Sequence, residues 1–428
     1  MRVPVVPIRR VAKLGSGHTP SRQHPEYWVN CTIPWLTLTD VGKLRDGIVT
    51  VVNETAEKIS ELGVARSAAV VHRAGTVALS RTASVGFTCI LGTDMATSQD
   101  FATWDCGPLL EPKFLLYALR GNPAQIKQRM IGSTHKTIYM PDIETLTTPL
   151  PAVEQQRLIA HFLGFETARI DGLVAAKQAQ FDALTELRGV TTEIAVVDGS
   201  VGERVKSTLA WAETIPAHWD EVKLTLVARL GSGHTPSRQR PEWWVDCVHP
   251  WITTGEVAQM RSDRFEVIFE TREKISELGL ANSSAVLQQA GTVTLCRTAS
   301  AGYSAIMGRE MATSQDFVTW VCGPLVRPRF LLLCLRAMRR DLLGRLAMGS
   351  THQTIYMPDI ESIRIPLPPI AEQDAIVERA WAKLRTIDIS TDKIRRQNEL
   401  LGERKQELIT AAVTGQLDLA RGIAEGAS

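Results

Sequence analysis

The chain has 428 residues, of which 44% are hydrophobic and 22% are charged, a composition typical of a globular protein with two or more domains. The net charge of +2 is too small to indicate nucleic-acid binding by itself, and the lack of a signal peptide or an apolar run of membrane-spanning length predicts a cytoplasmic protein. The 7 cysteines are scattered without a CxxC pair, which excludes a disulfide framework or a zinc ribbon.

An internal repeat runs through the sequence. The segment Leu14 to Gln23 (LGSGHTPSRQ) recurs unchanged at Leu230 to Gln239, and the same offset of 216 residues relates Arg81 to Ser84 (RTAS) to Arg297 to Ser300. After one inserted residue between Arg336 and Gly349, the offset becomes 217, so we expect a helix end or a loop that tolerates the insertion there. Copies this far apart are separate domains rather than the stacked units of a solenoid.

Each copy is predicted to be a mixed domain of strands and a short helix. Apolar runs bounded by Gly and Ser indicate strands, and a proline at the start of an apolar segment is typical of a helix N-terminus. The predicted elements are strands at Thr76 to Ser80 and Phe87 to Leu91, a helix at Phe114 to Arg120, strands beginning at Thr292 and Tyr303, and a helix at Phe330 to Arg336. We expect six repeated tryptophans in the cores: Trp28, Trp35, Trp104, Trp244, Trp251 and Trp320.

A long amphipathic helix is predicted to end each copy. From Glu154 to about Val197, and from Glu372 to about Val413, glycine and proline almost vanish. Heptad spacing indicates a coiled-coil seam in the second helix and a weaker one in the first. The seam positions are Ile387, Ile394, Leu401 and Leu408 in the second helix, and Ile170, Lys177, Leu184 and Thr191 in the first. We expect the two helices to pack antiparallel as a rigid spacer.

No catalytic motif is evident. The chain has no GxxxxGK[ST] loop, GxSxG elbow or HExxH pair. The acidic pairs Asp142 with Glu144 and Asp359 with Glu361 lack the following lysine of a metal-dependent nuclease, and we interpret the aspartates as turn formers. The single histidines have no partner at ligand spacing, so we expect no metal site.

Polar loops repeated in both copies are the candidate DNA-binding residues. Hydroxyls, amides and glycine backbone approach phosphates closely, and Arg and Gln read guanine and adenine in bidentate fashion. Turn formation is the alternative role for the Ser and Thr residues, and pairing with Asp100 is the alternative for Arg81. The candidates are Ser16, His18, Thr19, Ser21, Arg22, Arg81, Thr82, Gln99, Ser133, Thr134, His135 and Lys136 in the first copy, and Ser232, His234, Thr235, Ser237, Arg238, Arg297, Thr298, Gln315, Ser350, Thr351, His352 and Gln353 in the second.

The order of these motifs resembles the specificity subunit of type I restriction-modification systems. The resemblance covers nearly the whole chain and rests on four motifs that occur twice. They are GxTPSR to IPW (Gly17 to Trp35), RTAS, GSTH to IYMPDIE (Gly132 to Glu144), and PLP to EQ (Pro149 to Gln155). The run Ile215 to Trp219 (IPAHW) also resembles the opening of a recognition domain in this family.

The resemblance implies an α+β fold of two similar mixed α/β target recognition domains with pseudo-twofold symmetry, separated by two long antiparallel coiled-coil spacer helices. The expected segments are recognition domain 1 (1–152), helical spacer 1 (153–198), a linker (199–210), recognition domain 2 (211–370), helical spacer 2 (371–417) and a C-terminal tail (418–428). In this family each domain reads one half of a split double-stranded DNA site, and the subunit itself is not a catalyst.

The same resemblance implies partners. Two methyltransferase subunits would methylate adenine with S-adenosylmethionine, and restriction subunits would hydrolyse ATP and cut DNA. The methyl donor, ATP and Mg²⁺ would then belong to the partner subunits, with no cofactor bound by this chain.

One departure from the family is informative. The two recognition domains of such subunits are commonly unlike each other, whereas here even the polar loops are duplicated, so we predict half-sites that are similar and inverted. Differences such as His24 against Arg240, Asn30 against Asp246, Ser80 against Cys296 and Lys136 against Gln353 could still separate the half-sites by a base or two. Two other hypotheses are a duplicated protein-binding or carbohydrate-binding scaffold and the recognition part of a related single-chain or phage-defence enzyme.

Overall fold

The computed structural model describes residues 3–132, 136–199, 202–346 and 353–417. The chain divides into two units: unit 1 runs to Gln178 and resumes at Arg396, and unit 2 is Ala179–Arg395. Each unit therefore combines one copy of the repeated domain with parts of both long helices. The predicted site residues Ser133, Thr134, His135, Ser350, Thr351 and His352, and the predicted C-terminal tail, lie outside the described residues.

Unit 1 is built on two small sheets. The larger sheet has the strand order β2-β10-β7-β8-β4, the smaller one β5-β3-β9-β6, and β1 pairs with β11. The strands are β1 (Val5–Pro7), β2 (Ala12–Ser16), β3 (Ile33–Leu36), β4 (Val51–Val52), β5 (Glu57–Ile59), β6 (Val71–His72), β7 (Val77–Ser80), β8 (Thr88–Leu91), β9 (Met95–Thr97), β10 (Phe101–Cys106) and β11 (Thr147–Pro149). The helices are α1 (Glu61–Ala65), α2 (Pro112–Arg120), α3 (Pro123–Lys127), α4 (Met140–Ile143) and the long α5 (Val153–Ala195), which continues into unit 2.

Unit 2 repeats this plan. Its sheets have the orders β15-β22-β19-β20-β17 and β18-β16-β21, with the pairs β12-β13 and β14-β23. The strands are β12 (Arg204–Lys206), β13 (Thr214–Pro216), β14 (Asp220–Lys223), β15 (Ala228–Ser232), β16 (His249–Ile252), β17 (Val267–Ile268), β18 (Glu273–Ile275), β19 (Val293–Cys296), β20 (Ser304–Met307), β21 (Ala312–Thr313), β22 (Phe317–Cys322) and β23 (Arg364–Leu367). The helices are α6 (Val257–Met260), α7 (Glu277–Ala281), α8 (Pro328–Ala337), α9 (Arg339–Asp341), α10 (Met357–Glu361) and the long α11 (Ile370–Val413), which continues into unit 1.

The strands and short helices predicted from apolar runs are confirmed. In β7 and β8 every residue is buried, because the sheet is covered on both faces, so these strands are mostly apolar rather than alternating. Helix α2 begins with Pro112, whose missing N–H would have no intrahelical partner at that position. The buried side of α2 then packs Phe114 and Leu115 into the core of unit 1.

A π-helical turn lies in the interval that holds the inserted residue of the second copy. The segment Leu342–Leu346 is π-helical and falls between Arg336 and Gly349. A π-turn takes up one extra residue within a helical segment, so this turn is a place where an insertion is tolerated. The expected helix end is therefore followed by a widened turn after α9.

A buried arginine at the end of each short apolar helix ties that helix to the sheet and to a neighbouring loop. Arg120 donates to the backbone carbonyls of Gly47, Val49 and Thr88 at 2.7 to 3.0 Å. Arg336 donates to the equivalent carbonyls of Asp263, Phe265 and Ser304 at 2.7 to 3.4 Å. Burial lowers the pKa of Arg120 and lowers the pKa of Arg336 to about 10, so both remain charged at neutral pH.

The long helices pair antiparallel within each unit, as predicted. In unit 1, Lys177 of α5 donates to Gln397 of α11 at 2.6 Å, and Asp171 of α5 accepts from Lys405 of α11 at 2.6 Å. Residue numbers therefore rise along one helix where they fall along the other, as in an antiparallel pair. In unit 2, Arg188 bonds Asp388 at 2.9 Å. The heptad residues Ile170, Ile387 and Ile394 are buried in these pairings. In the described parts of the chain, no helix is both long and apolar enough to cross a membrane.

Four of the six tryptophans expected in the core are buried there: Trp35, Trp104, Trp251 and Trp320. Trp28 and Trp244 are only partly buried, but they pack against the core clusters of Trp35 and Trp251. Each of these two also has an arginine guanidinium stacked on its ring.

Candidate nucleic-acid interface

The candidate loops of unit 1 meet at one edge of its five-stranded sheet. Strand β2 ends at Ser16 and β7 ends at Ser80, while β10 begins at Phe101. The register pairs Ser16 with Ala102 and Ser80 with Phe101, which places these three strand ends side by side. The loops after β2, after β7 and before β10 therefore emerge together, although they are far apart in sequence.

The loop after β2 rests directly on the chain that precedes β10. The backbone N–H of His18 donates to the carbonyl of Thr97 at 3.0 Å. A Cβ atom on Gly17 would lie 1.9 Å from that same oxygen, so only glycine permits the approach. Thr19 then donates to the amide oxygen of Gln99 at 2.6 Å, which leaves both amide N–H groups of Gln99 available to a partner.

Asp100 organises the loop after β7. Its carboxylate accepts from the hydroxyls of Thr82 and Ser98, the latter at 2.9 Å, and its backbone carbonyl accepts from the N–H of Arg81 at 2.7 Å. The guanidinium of Arg81 does not pair with Asp100; it donates to the carbonyl of Ile138 at 3.4 Å. Within the described residues, no carboxylate lies at ion-pair distance from Arg81.

Unit 2 reproduces this arrangement with the same residue types. Thr235 donates to Gln315, and Asp316 accepts from Thr298 at 2.5 Å and from Ser314 at 3.0 Å. Arg297 donates to the carbonyl of Gln315 at 3.1 Å and, in the part of the chain that is described, also lacks a carboxylate partner. Each unit thus presents an arginine held by backbone carbonyls, with its charge uncompensated.

A strained alanine marks the same loop in both units. Ala83 and Ala299 have φ values of +53° and +60°, a region that is costly for residues with a Cβ atom. No sequence signal indicates this strain, because alanine is not a turn residue. An exposed tyrosine lies next to each loop, Tyr139 in unit 1 and Tyr356 in unit 2. In each unit the residue just before the tyrosine donates its backbone N–H to the carbonyl of the loop arginine, Arg81 or Arg297. Sequence reasoning missed both tyrosines; their repetition beside polar loops was the available signal.

Arg22 and Arg238 differ from Arg81 and Arg297 in having carboxylate partners. Arg22 bonds Glu57 at 3.0 Å and stacks on the ring of Trp28 at 4.1 Å. Arg238 bonds Glu273 at 2.6 Å and stacks on Trp244. These two cations are therefore already paired within the chain, which reduces the charge that they offer to a phosphate.

Several predicted serines have a local structural role. Ser21 and Ser237 accept from the N–H groups two residues later at 3.3 Å, as turn-forming serines do. Ser16 donates to the carbonyl of Phe101 at 3.1 Å, and Ser232 bonds the carbonyl of Gly233. Lys136 and Gln353 are exposed, as is His18, while His234 is half-buried.

The acidic pairs near the proline motifs do not act as helix caps. Asp142 lies in the first turn of α4 and Asp359 in the first turn of α10, and neither helix has a side-chain cap. Short strands, β11 and β23, follow as expected from the sequence. In the described residues, no group of three or more His, Cys, Asp or Glu side chains could hold a metal ion. The sheet edge where the candidate loops meet therefore offers hydrogen-bond donors from neutral side chains and from arginine guanidinium groups.

The fold and these paired loops define a duplicated recognition domain, and comparison with known families agrees. The sequence profile described as "Type I restriction modification DNA specificity domain" matches residues 3–170 and again 216–399. The chain therefore belongs to the family of type I restriction-modification DNA specificity proteins. The prediction of a non-catalytic specificity subunit is confirmed at the level of the family.

The relatives are distant in sequence and similar in fold. The MjaIX specificity subunit of Methanocaldococcus jannaschii is 27% identical over 197 residues, which are 45% of this chain but only 43% of that protein. The putative MjaX specificity subunit of the same organism is 22% identical over 331 residues, 72% of this chain and 68% of that one. A chain from a type I R-M system studied for complex assembly matches with a TM-score of 0.76 at 16% identity, covering 97% of this chain and 100% of that one. The HsdS subunit from Thermoanaerobacter tengcongensis matches with a TM-score of 0.57 at 16% identity over 97% of each chain.

Proposed function

We propose that this chain is the DNA-reading subunit of a type I restriction-modification complex, that each domain reads one half of a bipartite duplex site, and that the chain recruits methyltransferase and restriction subunits. The observation that carries the proposal is the repeated sheet edge. In each unit it presents an arginine without a carboxylate partner beside a glutamine with a free amide donor pair. These are the side chains that read guanine and adenine in the major groove.

The near identity of the two edges supports similar half-sites. Two of the four differences named from the sequence keep the same local structure. His24 and Arg240 both pair with the glutamate two residues later, at 3.0 and 3.8 Å. Asn30 and Asp246 both have φ of +53°. These substitutions therefore preserve structure, and we do not expect them to change the bases that are read.

Ser80 and Cys296, the third difference, bond carbonyls at non-equivalent positions of the same loop. Ser80 donates to the carbonyl of Ser84, and the Cys296 thiol donates to the carbonyl of Thr298 at 3.2 Å. The fourth difference, Lys136 against Gln353, is of another kind, because both side chains are exposed at the candidate edge. A lysine favours guanine acceptors and a glutamine favours adenine. We therefore expect the half-sites to be inverted copies that differ at a single base pair.

The spacer helices are proposed to set the gap between half-sites and to present the docking surface for the partner subunits. Their lengths, 43 residues for α5 and 44 for α11, correspond to roughly 65 Å at about 1.5 Å per residue. Methyl transfer, ATP hydrolysis and DNA cleavage are assigned to the partners, which would bring S-adenosylmethionine, ATP and Mg²⁺. This chain contributes the choice of sequence.

The proposal is tested by DNA binding of the complex with its methyltransferase subunits. Arg81→Ala is expected to weaken affinity for the cognate duplex about ten-fold, which is the value of one good base or phosphate contact, and Arg297→Ala should do the same. The double variant should show the product of both losses and a smaller salt dependence. Arg73→Ala is the control, because the exposed Arg73 pairs with Asp105 near the end of β10 that lies away from Phe101.

Unchanged affinity in both arginine variants would overturn the assignment of this edge as the DNA interface. A complex that does not bind DNA would instead support the protein-binding scaffold, whereas a steep fall of DNA affinity with salt would exclude it, since phosphate contacts release counterions.

A further inference from the structure

The two units differ at one place where the recognition domain faces its own spacer helix. The start of each long helix is anchored identically: Gln156 and Gln373 are both fully buried, and each accepts a backbone hydrogen bond from the domain at 2.8 Å. This fixes an offset of 217 between the helices, so Gly164 of α5 corresponds to Trp381 of α11. Domain residues before the inserted residue correspond at the offset of 216.

In unit 2 the space between domain and helix is closed. Trp381 is 2% exposed, and its ring lies 5.5 Å from the guanidinium carbon of the buried Arg336. Beside it, Arg329 of the domain bonds Glu266 and also bonds Glu378 of the helix at 2.7 Å. An indole fills the gap, and an arginine between two carboxylates bridges its rim.

In unit 1 four side chains of this closure are replaced, while the arginine at the helix end is kept as Arg120. Gly164 occupies the position equivalent to Trp381. Thr50, His161 and Lys113 occupy the positions equivalent to Glu266, Glu378 and Arg329. Only Tyr117, the counterpart of Leu333, takes up some of the space; its hydroxyl lies 3.8 Å from where a Cβ of Gly164 would be. What remains is an open groove of about 840 Å³, here called the unit 1 groove, lined among others by Ile48, Leu116, Tyr117, Gly164 and Phe165.

The walls of the unit 1 groove are apolar and its rim carries an unpaired cation. Phe165 is 65% exposed and Ile48 is 55% exposed, which is unusual for large apolar side chains beside one another. Lys113 has no carboxylate at ion-pair distance in the described parts of the chain, whereas its counterpart has two. The helix residues of the lining extend from Arg157 to Ala175, roughly 27 Å at about 1.5 Å per residue.

We propose that the unit 1 groove receives a segment of the methyltransferase subunit that presents an aromatic side chain next to a carboxylate. The aromatic ring would occupy the space that Trp381 fills in unit 2, and the carboxylate would pair with Lys113 as Glu266 and Glu378 pair with Arg329. A groove of this length fits a protein segment better than a small molecule. This inference rests on the proposed function, and it makes the two methyltransferase sites inequivalent: only the unit 1 site has this anchor.

The chain itself supplies the variant that closes the groove. Thr50→Glu, Lys113→Arg, Tyr117→Leu, His161→Glu and Gly164→Trp together rebuild in unit 1 the arrangement already folded in unit 2. The second variant is Lys113→Glu, which reverses the rim charge without changing the groove. The control is Lys127→Glu, a charge reversal at an exposed lysine of α3 outside the lining.

Each chain is titrated with purified methyltransferase subunit, and the stoichiometry and affinities are read by native mass spectrometry, with hydrogen exchange measured over residues 157–175. We expect two bound subunits and protection of 157–175 in the wild type. The closed variant and Lys113→Glu should weaken one of the two binding steps at least ten-fold and lose that protection. The control should behave as the wild type.

Wild-type affinity in both groove variants, or binding without protection of 157–175, would overturn the inference while leaving the proposed function intact. Failure of the wild-type chain to bind any methyltransferase subunit would overturn both. If the wild-type chain alone self-associates and the closed variant does not, the occupant is a second copy of the chain, and the inference is wrong.

Discussion

Lys405 donates to both carboxylate oxygens of Asp171, at 2.6 and 2.8 Å, and joins the end of one spacer helix to the beginning of the other in unit 1. In unit 2, Arg188 bonds Asp388 at 2.9 Å. With the offset of 217, Asp171 corresponds to Asp388 and Arg188 corresponds to Lys405. Each unit therefore uses an aspartate of its own helix and a cation from the other helix, so the same antiparallel register is specified twice.

The ion pair of unit 1 predicts a large cost when only one partner is removed. Asp171 and Lys405 are 17% and 15% exposed, so Asp171→Leu leaves a largely desolvated ammonium group without a counter-charge. We expect the free energy of unfolding to fall by about 3 kcal/mol in denaturant titrations. Asp171→Leu combined with Lys405→Met should recover most of that loss, because an apolar pair carries no unpaired charge.

The matched control is the exposed pair of Arg396 with Glu399 on α11, the helix that carries Lys405. Glu399→Leu should lower the free energy of unfolding by less than about 1 kcal/mol. Equal costs for Asp171→Leu and Glu399→Leu would show that the Asp171 pair does not hold the helices in register.

The close approach at Gly17 predicts that this loop tolerates no side chain. In Gly17→Ala the new Cβ would meet the backbone of Thr97, so the loop must move and the bond between Thr19 and Gln99 must break. We expect a lower melting temperature and a loss of DNA affinity in the assembled complex. Gly42→Ala is the control, because no atom lies within 4 Å of its Cβ position. If Gly17→Ala lowers the melting temperature as little as Gly42→Ala does, the close approach of Gly17 to Thr97 is contradicted.

The buried thiols are predicted to be unreactive in the folded protein. Burial raises the pKa of Cys89 to about 12 and raises the pKa of Cys334 well above its ordinary value. Because the folded state holds these protons more tightly, each thiol contributes stability below pH 9 that is lost as the pH rises toward 12. At pH 8 a thiol reagent should label half-buried Cys31 quickly and label Cys89 only at the rate of unfolding. Labelling of Cys89 as fast as Cys31 in native buffer would refute this.

Much of the architecture could be predicted because its determinants are local. Continuous apolar runs between glycines define β7 and β8, and 40 residues almost free of glycine and proline define each long helix. The duplication then doubles each observation. The antiparallel pairing followed from placing two such helices in one chain, and the heptad residues Ile387 and Ile394 are buried as their spacing indicates.

The remaining features depend on contacts between distant residues, which no local pattern reveals. The three carbonyls bound by Arg120 lie 32 to 73 residues away in sequence, and the stacking of Arg22 on Trp28 depends on Glu57 from another strand. The same holds for the unit 1 groove, where a single glycine at position 164 matters only because of what faces it. The sheet edge brings together the polar loops named from sequence, while the bases that they contact stay a prediction.

Two similar domains with nearly identical polar loops are expected to read two nearly identical half-sites, and the methylated DNA sequence tests this most directly. Long-read sequencing of a host carrying the complete system should reveal one bipartite motif whose halves are inverted copies, differing at a single base pair. In a strain with Lys136→Gln, which gives unit 1 the glutamine of unit 2, the two halves should become identical. Two unrelated half-sites, or a motif unchanged by Lys136→Gln, would contradict the account.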